Sequence, residues 1–197
     1  MTTMRLAVIT GSVREGRHGP TITRWFEEQA RRHGLFEVDV LDAAGHALPA
    51  ALPAAPAALL DTGSRPPELR ELSARLAGAD AFAVVTPEYN HSYPASLKHL
   101  IDWHVTEWQA KPVALVSYGG MGGGVRAAEH LRQVFAELHA VTIRQTITFD
   151  QHWLRFDAEG RLLEPEGPEG AAKVLLDQLG WWSRVLRDAR LTTPYVA

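Results

Sequence analysis

The first stretch with residues suited to chemistry lies between Gly11 and Thr21, directly after a short apolar run. It contains three glycines, two arginines and the hydroxyl groups of Ser12 and Thr21. Glycines let the backbone approach a ligand closely, and a helix that begins behind such a loop presents unpaired N–H groups to an anion. Hydroxyl and guanidinium groups donate hydrogen bonds to phosphate oxygens. The stretch therefore predicts a phosphate-binding loop, although an ordinary strand-to-helix turn with solvated arginines can have the same composition.

The spacing of these glycines matches neither of the common nucleotide-binding motifs. No Gly-Lys-Ser or Gly-Lys-Thr follows at the P-loop spacing, and Gly11, Gly16 and Gly19 do not fit the G-x-G-x-x-G dinucleotide pattern. The function of the loop is therefore decided by the rest of the chain.

Two further loops of unusual composition follow apolar runs. Pro87-Glu88-Tyr89-Asn90 comes after residues 80–86, and the glycine-rich stretch from Gly119 to Gly124 comes after residues 111–118. Glycines allow backbone N–H groups to approach a flat ring, and the Asn90 amide can bond a ring or ribityl group. Each loop alone has a structural alternative, since the first can be a strand-ending turn and the second a flexible lead into a helix.

These loops are poor in the groups that most enzymes use for acid–base or nucleophilic chemistry. The chain has no cysteine, and neither a Ser-His-Asp order, an H-E-x-x-H motif nor a cluster of paired carboxylates stands out. A pocket that can bind well but lacks acids, bases and nucleophiles indicates that a cofactor carries the reaction. A phosphate site at one end and a site for a flat, electron-accepting ring at the other describes FMN.

Strands and helices alternate along the chain and position these loops. Apolar runs predict five strands, and helical periodicity predicts helices between them. This alternation predicts an α/β fold in which a parallel sheet carries helices on both faces, as a single domain over residues 1–197. Because ligands bind at the carboxyl ends of such strands, we expect the three loops to meet at one crevice.

Two stretches fit this scheme poorly. The passage from Ala43 to Pro67 is too rich in proline for one helix, and we interpret it as a long surface loop that is either a functional lid or flexible. Residues 151–170 are irregular and rich in Gly, Pro and Glu. After them, a last amphipathic helix is predicted from Ala171 to about Ala189.

Length and composition limit the class of protein. The 197 residues, 46% of them hydrophobic and 22% charged, suit one globular domain. A net charge of -3 without a long basic run argues against a nucleic-acid partner, and no apolar run is long enough to span a bilayer. Because the sequence starts without a charged-then-apolar leader, a cytoplasmic location is expected.

Three motifs resemble those of the NAD(P)H-dependent FMN reductase family. They are Gly11-Ser12-Val13-Arg14, Pro87-Glu88-Tyr89-Asn90 with Leu97-Lys98-x-x-Ile101-Asp102 behind it, and Ser117-Tyr118-Gly119-Gly120. The motifs occur in order at the ends of the first, third and fourth predicted strands. The resemblance covers roughly the first three quarters of the chain.

This resemblance implies a flavodoxin-like fold with five parallel strands in the order 2-1-3-4-5, non-covalent FMN, NADPH or NADH as hydride donor, and a homodimer or homotetramer. It places the FMN phosphate at one loop, with Ser12, Arg14, Thr21 and Ile22, joined by Arg17 and Gly19. It places Pro87, Glu88, Tyr89 and Asn90 around the ring, and Ser117, Tyr118, Gly119 and Gly120 at the pyrimidine side of the ring.

The chain departs from the family in two places. Arg17, His18 and Gly19 stand where many relatives have a Ser or Asn, so Arg17 is expected to compensate as a second cation at the phosphate or to hold a 2′-phosphate of NADPH. His91 and Tyr93 are bulkier than the residues common there, so they are expected either to narrow the substrate face or to contact a partner subunit.

These features predict an FMN-dependent oxidoreductase. NAD(P)H reduces the flavin and leaves, and a second small-molecule acceptor (quinone, free flavin, azo compound or oxidised metal species) then enters the same place. A flavodoxin-like electron carrier and a phosphate-binding regulatory module remain as alternatives, although 20 basic against 23 acidic residues is unlike an acidic carrier. The helix from Pro94 to Trp103 and the adjoining Trp108 segment are expected at a two-fold subunit interface beside the flavin.

Overall fold

The protein forms one sheet of five parallel strands. The computed structural model describes residues 3–61, 63 and 65–196. The strands are β1 (Met4–Thr10), β2 (Phe36–Asp42), β3 (Ala81–Pro87), β4 (Pro112–Tyr118) and β5 (Val141–Phe149), in the spatial order β2-β1-β3-β4-β5. This order confirms the flavodoxin-like α/β fold predicted from the sequence.

Helices cover both faces of the sheet because each inner strand is apolar on both faces. They are α1 (Gly19–His33), α2 (Pro67–Gly78), α3 (Ala95–Asp102), α4 (Val125–Glu137) and α5 (Glu166–Thr192). Leu6 and Val8 of β1 share one buried cluster with α1 and α5. Ala7 and Ile9, which point to the opposite face, share the other with α2, α3 and α4.

The carboxyl ends of four strands lie at one edge of this sheet. Thr10 pairs with Val85 between β1 and β3, Pro87 with Tyr118 between β3 and β4, and Tyr118 with Phe149 between β4 and β5. The three loops singled out in the sequence therefore begin from the same edge, and so does the segment between β5 and α5.

The last helix is longer than the sequence predicted. It begins at Glu166 and ends at Thr192, whereas the predicted bounds were Ala171 and about Ala189. Pro168 does not prevent the earlier start, because the first turn of a helix needs no N–H donor. The acidic residues Glu166 and Glu169 in this turn favour it through the helix dipole.

The long passage after β2 is anchored at its end. Short 3₁₀ turns lie at Ala43–Gly45 and Pro56–Leu59, and residues 62 and 64 of the passage lie outside the described residues. Arg65 is buried, forms an ion pair with Glu107 and donates to Ser73 Oγ at 2.7 Å. The passage is thus a surface loop whose last part is attached to the core, and its role as a lid stays a prediction.

Trp108 belongs to the core of the chain rather than to an exposed face. Its side chain is fully buried, its ring lies 4.6 Å from Phe82 and 5.4 Å from Phe135, and its Nε1 donates to the carbonyl of His104 at 2.6 Å. The Trp108 side chain is therefore closed to a partner subunit, and the interface expected for the segment around it stays a prediction. Within the described part of the chain, no helix combines the length and the apolar character that crossing a membrane requires.

Candidate functional site

The loop between β1 and α1 offers a row of free backbone donors. The N–H groups of residues 12–18 have no acceptor among the described residues. At the base of the loop, the Gly11 N–H donates to a carbonyl near the end of β3 at 2.9 Å. At its end, the N–H groups of Thr21 and Ile22 donate to the His18 carbonyl at 3.1 and 3.2 Å. A loop fixed at both ends, with free donors between them beside a helix N-terminus, is suited to bind an anion.

A buried pair of hydroxyl groups lies against this loop. The Tyr118 hydroxyl donates to Ser12 Oγ at 3.2 Å, and both side chains are buried. Burial raises the pKa of Tyr118 to about 12, so the phenol stays protonated and keeps its donor role. The Ser12 hydrogen is therefore left for another acceptor, such as a phosphate oxygen. Gly19 makes room for the pair, because a Cβ atom on it would stand 2.5 Å from Ser12 Oγ.

Arg17 is paired with protein groups. Its terminal nitrogens donate to the two Asp42 carboxylate oxygens at 2.6 and 2.7 Å, and one of them also donates to the Ser12 carbonyl. The hydrogen bond to Asp42 raises the pKa of Arg17. Burial opposes ionisation of Asp42, but the hydrogen bonds from Arg17 and the Ala44 N–H lower its pKa overall. Arg17 thus ties the loop to the end of β2, and its expected contact with a phosphate stays a prediction.

Arg14 is the exposed cation of the same loop. Its guanidinium carbon lies 6.0 Å from the centre of the Tyr89 ring, at the outer limit of a cation–π contact. No carboxylate of the described residues forms an ion pair with it. Its charge is therefore available to an anionic ligand bound between the first and second loops.

The turn after β3 is a two-residue hairpin with positive φ at both central positions. Asn90 and His91 have φ values of 50° and 67°, and the flanking Tyr89 and Ser92 exchange backbone hydrogen bonds of 2.7 and 3.0 Å. This is the geometry of a type I′ turn, in which positive φ costs His91 more than it would cost a glycine. The backbone N–H groups of Asn90 and His91 have no acceptor in the described ranges, and neither has the Asn90 side-chain amide.

Glu88 faces the helix behind the site. Its carboxylate accepts from the Arg126 N–H at 3.1 Å and from Arg126 Nη1 at 2.9 Å, and so caps the first turn of α4. The Glu88 N–H in turn donates to the Tyr118 carbonyl at 2.9 Å. The side chain therefore joins the second loop to the start of α4, and the expected contact of Glu88 with a ring stays a prediction.

The glycine-rich loop after β4 is folded tightly and presents a second set of free donors. Ser117 Oγ donates to the Gly123 carbonyl at 3.0 Å. The Gly119 N–H donates to the carbonyl of Phe149, the last residue of β5, at 3.1 Å. Gly124 has a φ of 86°, and a Cβ atom there would stand 2.7 Å from the Tyr118 nitrogen. The N–H groups of residues 120–122 are without an acceptor in the described chain.

The segment that follows β5, which was not expected at the site, also lies against this loop. The His152 ring stacks on Tyr118 with centroids 5.0 Å apart and lies 4.6 Å from the His18 ring. Burial, together with the neighbouring His18, lowers the pKa of His152 to about 4, so the ring is neutral near pH 7. The next residue, Trp153, places its ring beside Gly120. No motif marks these residues in the sequence, and only the position of the segment after the last strand could have drawn attention to it.

The predicted site residues divide into two groups. Those that carry free donors or face outward are Ser12, Arg14, Thr21, Tyr89, Asn90 and Gly120. Those that hold the loops in shape are Arg17, Gly19, Ile22, Pro87, Glu88, Ser117, Tyr118 and Gly119. The structure brings both groups to one edge of the sheet.

This arrangement can bind and orient a ligand, and it offers little acid or base chemistry. Its free groups are hydrogen-bond donors in three places, at residues 12–18, 90–91 and 120–122. No group of His, Asp or Glu side chains within the described ranges could hold a metal ion. A ligand with a phosphate at one end and a flat ring edged with acceptors at the other matches these donors, and FMN has both features.

Comparisons with known proteins show the family of this chain. The model of the family described as NADPH-dependent FMN reductase matches residues 4–154. The NAD(P)H-dependent FMN reductase of Schizosaccharomyces pombe is 38% identical over 128 residues, which cover 64% of this chain and 64% of that protein. The match therefore spans less than two thirds of the length of this relative. The 2-hydroxy-1,4-benzoquinone reductase of a Burkholderia species is 30% identical over 197 residues, which cover 95% of this chain and 99% of that protein.

A solved structure supports the fold. The flavoenzyme NAD(P)H:(acceptor) oxidoreductase FerB from Paracoccus denitrificans superposes with a TM-score of 0.73 at 22% identity, over 93% of this chain and 98% of FerB. The matched residues 4–154 contain all five strands and all three loops. The chain belongs to the NADPH-dependent FMN reductase family.

Proposed function

We propose that this protein binds FMN non-covalently and uses it to oxidise NADPH or NADH with a second small molecule as acceptor. When bound, FMN supplies the ring that accepts a hydride equivalent and passes two electrons on. The overall reaction with a quinone is then NAD(P)H plus quinone plus one proton, giving NAD(P)⁺ and hydroquinone. The quinone acceptor is suggested by the name of the Burkholderia relative.

In that reaction, the residues of this chain bind FMN and orient it. The free N–H groups of residues 12–18, the Ser12 hydroxyl and the Arg14 guanidinium hold the phosphate. The N–H groups of residues 120–122 bond oxygen and nitrogen atoms at the pyrimidine side of the ring, and Asn90 bonds its other edge. A ring whose negative charge grows on reduction is stabilised by such donors.

The observation that carries this proposal is the convergence of three sets of unpaired donors on one edge of the sheet. The purified protein should be yellow, or turn yellow with added FMN, and should then consume NAD(P)H when a quinone is supplied. A colourless protein that fails to retain added FMN would contradict the cofactor, and a flavoprotein that does not oxidise NAD(P)H would favour the electron-carrier alternative.

We further propose that both substrates use one face of the ring in turn. The phosphate and pyrimidine ends are taken up by the first and third loops, which leaves one approach, bordered by His91 and Tyr93. Plots of reciprocal rate against reciprocal NAD(P)H concentration should be parallel at several quinone concentrations, and excess quinone should compete with NAD(P)H. Intersecting plots would mean that the two substrates bind together.

We also propose an assembly and a location for the protein. The chain acts as one domain and forms a homodimer or homotetramer in the cytoplasm, with α3 at the two-fold interface. The exposed part of this helix carries the Lys98–Asp102 ion pair. Sedimentation that gives a stable monomer at micromolar concentration would contradict the assembly.

A further inference from the structure

The indole of Trp153 is half exposed, as is that of Trp181 on α5, but Trp153 lies beside the candidate site. Trp25, Trp103 and Trp108 are at most 6% exposed, whereas Trp153 is 52% exposed. A large aromatic side chain that leaves half its surface in water contributes less to folding than a buried one does. Its position therefore calls for a role other than core packing.

Backbone contacts hold Trp153 at the glycine-rich loop. The Gln151 N–H donates to the Gly120 carbonyl at 2.9 Å, which fixes the 3₁₀ turn of His152–Leu154 against this loop. The far edge of the indole lies 4.0 Å from the place of a Cβ atom on Gly120. The Trp153 ring also meets the His152 ring edge to face, with centroids 5.1 Å apart. The indole is thus positioned by its neighbours while one surface stays open.

A second exposed apolar side chain belongs to the same rim. Met121, at the tip of the glycine-rich loop, is 93% exposed and is adjacent in sequence to Gly120. Methionine adapts its shape to aromatic ligands and makes favourable sulfur–aromatic contacts. Met121 thus belongs to the stretch 120–122, and Trp153 lies beside it. The proposed function assigns the free N–H groups of this stretch to the ring edge of FMN.

We propose that Trp153, assisted by Met121, selects the acceptor by making apolar contact with planar aromatic molecules that bind over the cofactor. This inference rests on the proposed function and adds a specificity-determining contact to it, one that favours uncharged planar acceptors over small inorganic anions. An aromatic acceptor gains contact with the indole and the thioether, whereas a hydrated anion gains nothing from either group.

The test is the binding of menadione to the oxidised holoenzyme without NAD(P)H, measured by calorimetry, so that no turnover is needed. Trp153→Ala should raise the dissociation constant about three- to tenfold, the effect expected for one aromatic contact, and Trp153→Phe should restore most of the affinity. Met121→Ala should have a smaller effect in the same direction. In turnover, the KM for menadione should rise while the KM for hexacyanoferrate(III) stays constant.

Trp181 provides a matched control, because it is 53% exposed but lies on α5. Trp181→Ala should leave menadione binding unchanged, and both alanine variants should keep FMN and the wild-type sedimentation coefficient. Unchanged menadione binding in Trp153→Ala, an equal loss in Trp181→Ala, or dissociation of a wild-type oligomer would overturn the inference. Absence of FMN retention or of NAD(P)H oxidation in the wild type would instead overturn the proposed function.

Discussion

Replacing Asp42 by asparagine separates the two roles that Arg17 can have. In the structure, Arg17 is bound to Asp42 and to the Ser12 carbonyl, so that it holds the first loop in shape. The alternative, expected from the sequence, is that Arg17 contacts the phosphate directly. If Arg17 acts by holding the loop, Asp42→Asn weakens FMN binding. If Arg17 contacts the phosphate, loss of the competing carboxylate leaves FMN binding unchanged or makes it tighter.

The size of the effect follows from the geometry of the pair. Two hydrogen bonds of 2.6 and 2.7 Å join side chains that are 18% and 37% exposed. Buried hydrogen bonds to charged groups contribute about 1.5–3 kcal/mol, and exposed ion pairs about 0–1 kcal/mol. For this partly exposed pair we expect a coupling energy of about 1–2 kcal/mol in folding. If the whole of it is needed to order the loop, FMN affinity falls about five- to thirtyfold.

The assay is a double-mutant cycle on Arg17→Met and Asp42→Asn. In the wild type, Asp42 Oδ1 accepts a hydrogen bond from the Ala44 N–H at 3.0 Å. The amide oxygen of asparagine can accept the same bond, so the 3₁₀ turn behind β2 keeps its cap. Urea unfolding of the apoprotein gives the coupling energy, and quenching of flavin fluorescence gives the dissociation constant of FMN. Both single variants should weaken FMN binding, and the double variant should be no weaker than Arg17→Met. Unchanged or tighter binding in Asp42→Asn, together with weaker binding in Arg17→Met, would refute the holding role.

Three other substitutions test the remaining parts of the site. Arg14→Ala should leave unfolding unchanged but weaken FMN binding by about 1.5–3 kcal/mol, or about one to two decades in dissociation constant, and an unaltered titration would make Arg14 a surface residue. His91→Gly should raise the unfolding free energy by about 0.5–1 kcal/mol because glycine removes the strain of positive φ, and it should change acceptor preference more than FMN affinity; a lower melting temperature would contradict this. The third is His152→Phe, which keeps a ring on Tyr118. Since the pKa of His152 is lowered to about 4 from 6.5, the unfolded state binds more protons between these values, and stability falls as the pH falls. From pH 7.5 to 5.0 the wild type should lose about 1–2 kcal/mol more than His152→Phe in urea unfolding, after allowance for partial exposure, and equal losses would contradict the shift.

The sheet and its loops could be predicted because they depend on local patterns and on a general rule of topology. Apolar runs such as residues 80–86 are buried on both faces, and parallel strands must return their carboxyl ends to one edge. The loops were recognised by residues whose backbone freedom or donor groups are needed where they stand, as with Gly19 and Asn90. For these features the sequence and the structure agree.

Side-chain partners far apart in the chain could not be predicted. The carboxylate that holds Arg17 is 25 residues away, and the one that caps α4 lies 38 residues before Arg126. Composition suggests that an arginine near a phosphate loop binds phosphate, but it does not reveal a nearer acid. The start of α5 was placed too late for a similar reason, because Gly167 and Pro168 disfavour a helix interior but not a first turn.

The contacts that were missed explain why the site can exist before its ligand arrives. Rows of unpaired N–H groups do not hold a loop in shape, since each free donor forgoes a bond that would fix the backbone. In this chain the fixing contacts come from behind the loops: Asp42 to the first, and Glu88 and the Ser117 hydroxyl to the third. A loop held in this way loses little entropy when it binds, so more of each hydrogen bond to the ligand contributes to affinity. It follows that substitutions at these supporting residues act on the same binding equilibrium as substitutions at the donors, although the supporting side chains point away from the ligand.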